Sequence, residues 1–326
     1  MADQKEDFEA IRQIYTVLVL HFVDGMKQAD IATAINLSPS KVNRLIAQGR
    51  KLGMVRIEIE SPFQRLVDFE KRLIEAAGLA SAVVAPTVPG SPETTLQQVG
   101  RAAANQLLET LRDGDVIAIT GGKAVSAVVE NLLPERAFDV TVVPLTGGVQ
   151  GKHYTDVNHL ATRLAEKLGG RTLLVHAPLF AESREQRDML MDMASIRDVF
   201  DMARKAAIAL VGIGSIQTAG SSYYDLHPMP NHDRELVVRS GAAGEFLAHL
   251  IRDDGSMADY PHNMRLVALE PEELSNCRHV IGVAAGPEKV RPIRAALAGR
   301  YLDSLVVDDE TALAVLDAME GLRNVA

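Results

Sequence analysis

From about residue 82 onward the chain sets short, almost continuously aliphatic runs, at 82–85, 116–120, 140–143, 172–176, 207–211, 280–283 and 304–307, against stretches of helical periodicity. Runs this short and this apolar leave no face for water, so they belong in a parallel sheet covered by helices on both sides. The spacing predicts helices over 96–111, 123–132, 157–168, 185–193, 196–203, 242–250, 289–297 and 310–319. The expected fold class is α/β, a Rossmann-like doubly wound domain of about 260 residues in which ligands bind beyond the C-terminal ends of the strands.

The remaining residues bound what else the chain can be. Its 326 residues are enough for two domains, and 47% hydrophobic with 24% charged residues excludes a disordered or collagen-like chain. There is no Trp and aromatics are 4%, so the core must be aliphatic. The single cysteine, Cys277, forms no internal disulfide, which agrees with a reducing compartment. The opening MADQKEDFEA has no basic-then-apolar leader pattern, and no run of about 18 apolar residues follows. A soluble, cytoplasmic protein without a membrane partner is expected.

Residues 1–60 differ from the rest. They carry eight Lys/Arg and eight Asp/Glu, whereas 61–326 carry 26 against 35 and hold the whole net charge of -9. Between 36 and 56 there are five basic side chains, Lys41, Arg44, Arg50, Lys51 and Arg56, and no acidic one. Helical periodicity places Ile11, Ile14, Tyr15, Leu18 and Val19 on one inward face and predicts a second helix over 27–35. In NLSPS, Ser38 caps a third helix and Pro39 occupies its first turn. That helix buries Val42, Leu45 and Ile46 and closes at Gly53, and Val55, Ile57 and Ile59 then alternate with charged residues as in a half-exposed strand. The pattern is that of a winged helix-turn-helix spanning 1–60. Ser38, Ser40, Lys41, Asn43, Arg44 and Lys51 are its candidate DNA contacts: Asn and Arg read base edges, while Ser and Lys suit phosphates. Pro62 ends the strand, and a connector helix within 61–80 leads into the second domain, 61–326.

Four loops at predicted strand ends carry candidate chemistry. ITGGKAVSAV places Thr120, Gly121, Gly122, Lys123 and Ser126 at a helix start, where closely spaced glycines let backbone N–H groups face an anion, though a Gly-Gly pair by itself fits a plain turn as well. It is neither a Walker A nor a G-x-G-x-x-G sequence, and no nucleotide cofactor is expected. The second loop has Thr146, Gly147 and Gly148 and is followed by His153; no set of His, Cys and acid residues has metal-ligand spacing. The third contributes Gly212, Gly214 and Ser215, and the fourth, GVAAGPEKVRPI, places Gly286 and Lys289 before a helix.

These motifs resemble, in order along nearly the whole chain, the SorC-type transcriptional regulators. The N-terminal match falls on Gly25, Gln28, Ile31, Ala32, Leu37, Ser38, Val42, Arg44 and Leu45. It continues through DGDVIAITGG, VVPLTGG, NHLATRLAEKLGG, HAPLF, ALVGIGS, GAAGEF, GVAAGPEKVRPIRAALAGRY and VVDDETA. The resemblance implies a helix-turn-helix joined to a sugar-binding domain related to sugar-phosphate isomerases and deaminases. It implies an effector, commonly a phosphorylated sugar, held at Gly121, Gly122, Lys123, Ser126, Gly147 and Gly148, with Lys289 on the phosphate. Glu245 stands where aspartate is frequent, and Gly121 where tryptophan is usual. Implied partners are a sugar, polyol or sugar-phosphate effector, a roughly palindromic operator DNA and a homodimer or homotetramer. The alternative is an isomerase- or deaminase-like enzyme using Glu245, Asp308 or Asp309, but catalysis needs an acid or base fixed on the substrate, and no such set is defined in the sequence.

Overall fold

The computed structural model describes residues 2–55, 64–149, 156–216, 221, 223–224 and 231–323. The chain divides into two units, Met1–Pro62 and Phe63–Ala326.

In the first unit, α1 (Ala2–Leu18) runs into a π-helical turn, Val19–Val23, followed by α2 (Gln28–Ala34) and α3 (Pro39–Lys51). Ser38 caps α3, its side chain accepting the Lys41 N–H at 3.2 Å, with Pro39 in the first turn. Ile14, Val17 and Leu18 from α1 meet Ile31 and Ala32 from α2 and Val42, Leu45 and Ile46 from α3 in one small core. Gly49 sets how closely α1 and α3 approach, because a Cβ there would come within 2.6 Å of Leu18 and 2.9 Å of Ile14. Ile11 and Tyr15 do not face inward as expected; they are 50% and 61% exposed. The buried stripe centres on 14, 17 and 18, and at 3.6 residues per turn 11 and 15 fall to one side of it. The expected strand beyond Val55 lies outside the described residues.

The second unit opens with α4 (Gln64–Ala77), whose Phe69 and Leu73 are buried in the large core, so it forms a layer of this unit. The order continues β1 (Ser81–Ala85), α5 (Pro92–Thr110), β2 (Val116–Ile119), α6 (Lys123–Asn131), β3 (Thr141–Pro144), α7 (Val157–Leu168), β4 (Arg171–Thr172), α8 (Arg184–Asp192), α9 (Ala194–Ala203) and β5 (Ile208–Gly214). After α10 (Asn231–Arg239) come β6 (Gly244–Phe246), β7 (His249–Ile251), β8 (His279–Val283), α11 (Val290–Ala298), β9 (Ser304–Asp308) and α12 (Asp309–Arg323).

The main sheet runs β1-β9-β8-β5-β2-β3-β4, every neighbouring pair parallel. Strand residues alternate between its two faces, as the pleat requires. Ile117, Ile119 and Val142 join Val99, Leu107, Val128 and Leu164 from α5, α6 and α7 on one side. Ala118, Val143, Ala209 and Val211 join Phe69, Val199, Phe200 and Ile293 on the other.

One expectation fails at 242–250. Periodicity predicts a helix there, but β6 and β7 form an antiparallel hairpin, with Leu247 and Ala248 both at positive φ, 51° and 65°, in its two-residue turn. Two adjacent left-handed residues cannot continue a right-handed helix. The expected strand over 172–176 is also cut to two paired residues, because only Arg171 and Thr172 pair with β3.

Candidate functional site

The parallel order brings the C-terminal ends of β2, β5 and β8 side by side, and a cavity of about 140 Å³ opens there. Thr120, Gly121, Gly122 and Lys123 line it from β2, Gly212, Gly214 and Ser215 from β5, and Glu288 and Lys289 from the turn after β8. Glu245 from β6, Ser221 and Leu96 complete much of the wall.

Each side chain has a local reason for its place. Thr120 is buried with its hydroxyl accepting the Gly212 N–H at 3.0 Å, which ties the β2 loop to β5. Gly122 and Gly286 have φ of 119° and 107°, a region that only glycine occupies without strain, and each turns the chain sharply from a strand end into the next helical segment. The first turn of α6, whose N–H groups no helix can satisfy internally, lines the cavity with Lys123 and Ala124. Asp308 holds the Lys289 loop: one carboxylate oxygen accepts the Gly286 N–H at 3.0 Å and the other the Thr311 N–H at 3.0 Å. Asp309 accepts the Thr87 N–H at 2.8 Å. Both acids are thus engaged in holding loops.

Glu245 is the unusual member. It is the register partner of Gly214, and its carboxylate lies where a Cβ on Gly214 would stand, while one oxygen accepts the Ala248 N–H. Burial pushes its carboxyl up to about 7, against the Ala248 hydrogen bond and the Lys289 charge, which both favour the ionised form. Burial likewise lowers the Lys289 ammonium; Glu288 and Glu245 oppose that shift and Lys123 adds to it.

Of the residues expected in the site, Thr120, Gly121, Gly122, Lys123, Glu245 and Lys289 come together. Ser126 instead lines an adjoining cavity with Glu93, Gln97 and Glu130, and its hydroxyl donates to Glu130 at 3.0 Å. Gly147 and Gly148 are absent from the lining: their N–H groups donate to Val267 O at 2.7 Å and Ala177 O at 2.9 Å, stitching the β3 loop to neighbouring segments. His153 lies outside the described residues. Sequence reasoning missed Ser221, Glu288 and Leu96, although Glu288 sits inside the Gly286 to Lys289 turn and its position there was a usable signal. Among the described residues no group of three His, Cys, Asp or Glu side chains is placed to hold a metal, and no helix is long and apolar enough to cross a membrane.

In the first unit, Ser40, Asn43 and Arg44 are exposed on α3 at helical spacing, with Lys51 exposed on its last turn and Lys41 half-exposed. Arg50 stands over the Phe22 ring at 5.4 Å and is tied to the π-helical turn.

Comparison with known proteins shows the ancestry of both units. The profile of the Sugar-bind family, a sugar-binding domain, matches residues 61–317. The full-length sorbitol operon regulator SorC from Klebsiella pneumoniae superposes with a TM-score of 0.74 at 28% identity, covering 94% of this chain and 99% of that one. This chain belongs to the SorC family of transcriptional regulators. The SorC-family chain also matches sigma-70 region 4 over residues 16–52, the span that holds α2 and α3, so the N-terminal unit is a helix-turn-helix. It is 31% identical to the erythritol catabolism regulatory protein EryD of Brucella abortus, over 98% of this chain and 100% of the relative. It is 30% identical to the transcriptional regulator LsrR of Klebsiella pneumoniae, over 91% and 90%. The SorC-family assignment makes the chain a regulator, and its carboxylates need no catalytic role.

Proposed function

We propose that this SorC-family chain is a sequence-specific regulator of a carbohydrate or polyol catabolic operon, controlled by a small phosphorylated sugar bound where β2, β5 and β8 end. The observation that carries the reading is the convergence of the α6 first turn, Thr120, Lys123 and Lys289 on one small polar cavity. Backbone donors and two cations suit a phosphate, and Glu245, Ser215 and Ser221 suit sugar hydroxyls. The regulators of erythritol catabolism and of the sorbitol operon, both similar over nearly their whole length, support a polyol-derived ligand.

The DNA contacts are Ser38, Ser40, Lys41, Asn43, Arg44 and Lys51, on or beside α3. A symmetric dimer or tetramer matches a roughly palindromic operator. The effector acts by population shift: it changes operator affinity only through its differential affinity for two arrangements of the oligomer. A thermal-shift screen of sugars, polyols and their phosphates, repeated with the chain's own promoter DNA, is the deciding experiment. A phosphomonoester that raises the melting temperature and changes promoter affinity is the expected result. Stabilisation by free polyols alone rejects the phosphate assignment, and equal affinity for promoter and random DNA across a salt titration rejects the specific regulator.

A further inference from the structure

We propose that an anionic effector enters the pocket together with a proton, and that Glu245 is the group that takes it up. The inference rests on reading the cavity as the effector site. Among the described residues, the charged side chains lining it are Lys123, Lys289, Glu245 and Glu288, whose formal charges cancel. A phosphate dianion arriving in that lining leaves two negative charges without a counterion. Uncompensated charge in an enclosed site is costly, and a titratable neighbour changes protonation instead.

The geometry selects Glu245 over Glu288. Glu288 folds back over its own turn, beside Gly286. Glu245 is pressed against the backbone of β5, in the space left by the missing side chain of Gly214, and its hydrogen-bonding partner is an uncharged N–H, that of Ala248. Among the described residues, the groups that act on it are Lys289 from the turn before α11 and the Tyr223 hydroxyl from the segment after β5, with apolar Leu250 as its register partner on β7; α11 meets β6 through uncharged Pro292, packed against Gly244. Lys123, on the first turn of α6, acts on Lys289. Of these, Lys289 is the cation that keeps Glu245 ionised, and a bound phosphate draws on the same charge. With its carboxyl already at about 7, a modest further push protonates it near neutral pH. The proton comes from solvent and no covalent bond changes. An uncharged polyol brings no charge and requires no proton, so proton uptake separates the two ligand classes.

Calorimetry of the full chain with sulfate, a dianion that does not titrate in this range, tests the proposal. At about pH 8 the titration is run in buffers of different ionisation enthalpy, and net proton uptake on sulfate binding is expected, approaching one per sulfate as the bound anion lifts the Glu245 carboxyl by about two pH units from about 7. Sulfate affinity should rise by up to tenfold per pH unit as the pH is lowered toward neutrality, the slope of a single linked proton. Glu245→Gln should bind sulfate at about pH 8 at least as tightly, with no proton uptake and a flat pH profile. Wild-type binding without uptake overturns the proposal, as does uptake that persists in Glu245→Gln; the wild-type count stands whether or not the variant folds. A chain that binds neither sulfate nor glycerol 3-phosphate overturns the anion-site reading itself, and this proposal with it.

Discussion

Gly214 and Glu245 face each other across the pairing of β5 with β6, and the carboxylate of one fills the space that the other leaves by having no side chain. Gly214→Ala therefore puts a methyl group into that carboxylate and drives it toward the cavity. The expected cost is about 1–3 kcal/mol of stability in the second unit, the range for overpacking a close contact, together with loss of effector binding. Glu245→Ala in the same chain removes the carboxylate contact and leaves only the tight approach to the residue-245 Cβ at 3.1 Å, so the double variant should be more stable than Gly214→Ala alone. Chemical unfolding of the four chains in a double-mutant cycle measures the coupling; additive effects would place Glu245 elsewhere.

Lys289→Met keeps the aliphatic stem and removes the charge. If the effector carries a phosphate, its affinity should fall at least about tenfold, roughly 1.4 kcal/mol, because a charge-assisted contact is lost. Calorimetry with the effector found in the screen, alongside a gel shift on promoter DNA, reads both consequences. Promoter binding without ligand should survive and the response to ligand should weaken. Unchanged ligand affinity removes Lys289 from the site.

The parallel sheet was legible because the β-strands are buried on both faces, which leaves an unbroken apolar signal in the sequence. The glycine turns before α6 and before α11 were legible too, since glycines between an apolar run and a helical one have few other uses. The β6–β7 hairpin was not: Ala242, Ala243, Phe246 and Leu250 fall at helical spacing, and the turn that decides the matter, Leu247 and Ala248, is made of residues that rarely adopt positive φ. The loop at Gly147 and Gly148 looked like the loop at Gly121 and Gly122 in sequence. What separates them is tertiary: the partners of the first pair's N–H groups, Val267 and Ala177, are far along the chain, and no local pattern announces them.

Gly49 makes a separate prediction in the first unit. A methyl group there meets Leu18 and Ile14 at 2.6 and 2.9 Å, so Gly49→Ala must shift α3 against α1 or displace both side chains. In a core this small, a loss of about 1–3 kcal/mol is a large share of the unit's stability. Promoter affinity should fall while effector binding by the second unit stays at the wild-type value. Arg44→Ala, by contrast, should leave folding intact and remove about 1–3 kcal/mol of sequence discrimination if Arg44 reads a guanine edge. Circular dichroism of the isolated residues 1–62, set beside gel shifts of the full-length variants, separates the two effects.

Glu245 and the neighbouring buried His249 should act oppositely on stability as pH changes. Burial raises the Glu245 carboxyl to about 7 from an ordinary 4.5, so between those values the folded chain holds a proton that the unfolded chain has released, and stability falls as pH rises. Burial lowers His249 to about 4 from 6.5, against the hydrogen bond between its Nδ1 and Leu247 O. Between those values the unfolded chain binds the extra proton, and stability rises with pH. From about pH 4.5 to 6.5 the two slopes, each at most about 1.4 kcal/mol per pH unit, oppose one another, and these residues together contribute little net pH dependence. Glu245→Gln should therefore expose the histidine: its second unit should lose stability on acidification below about pH 6.5 more steeply than wild type, yet be the more stable chain at pH 8. His249→Gln should show the reverse, becoming less stable as pH rises toward 7. Urea unfolding of the second unit at half-unit steps from pH 4.5 to 8 resolves the slopes. If wild type and Glu245→Gln give parallel curves, Glu245 titrates in the folded chain as it does in the unfolded one, and its enclosure against Gly214 does not exclude water.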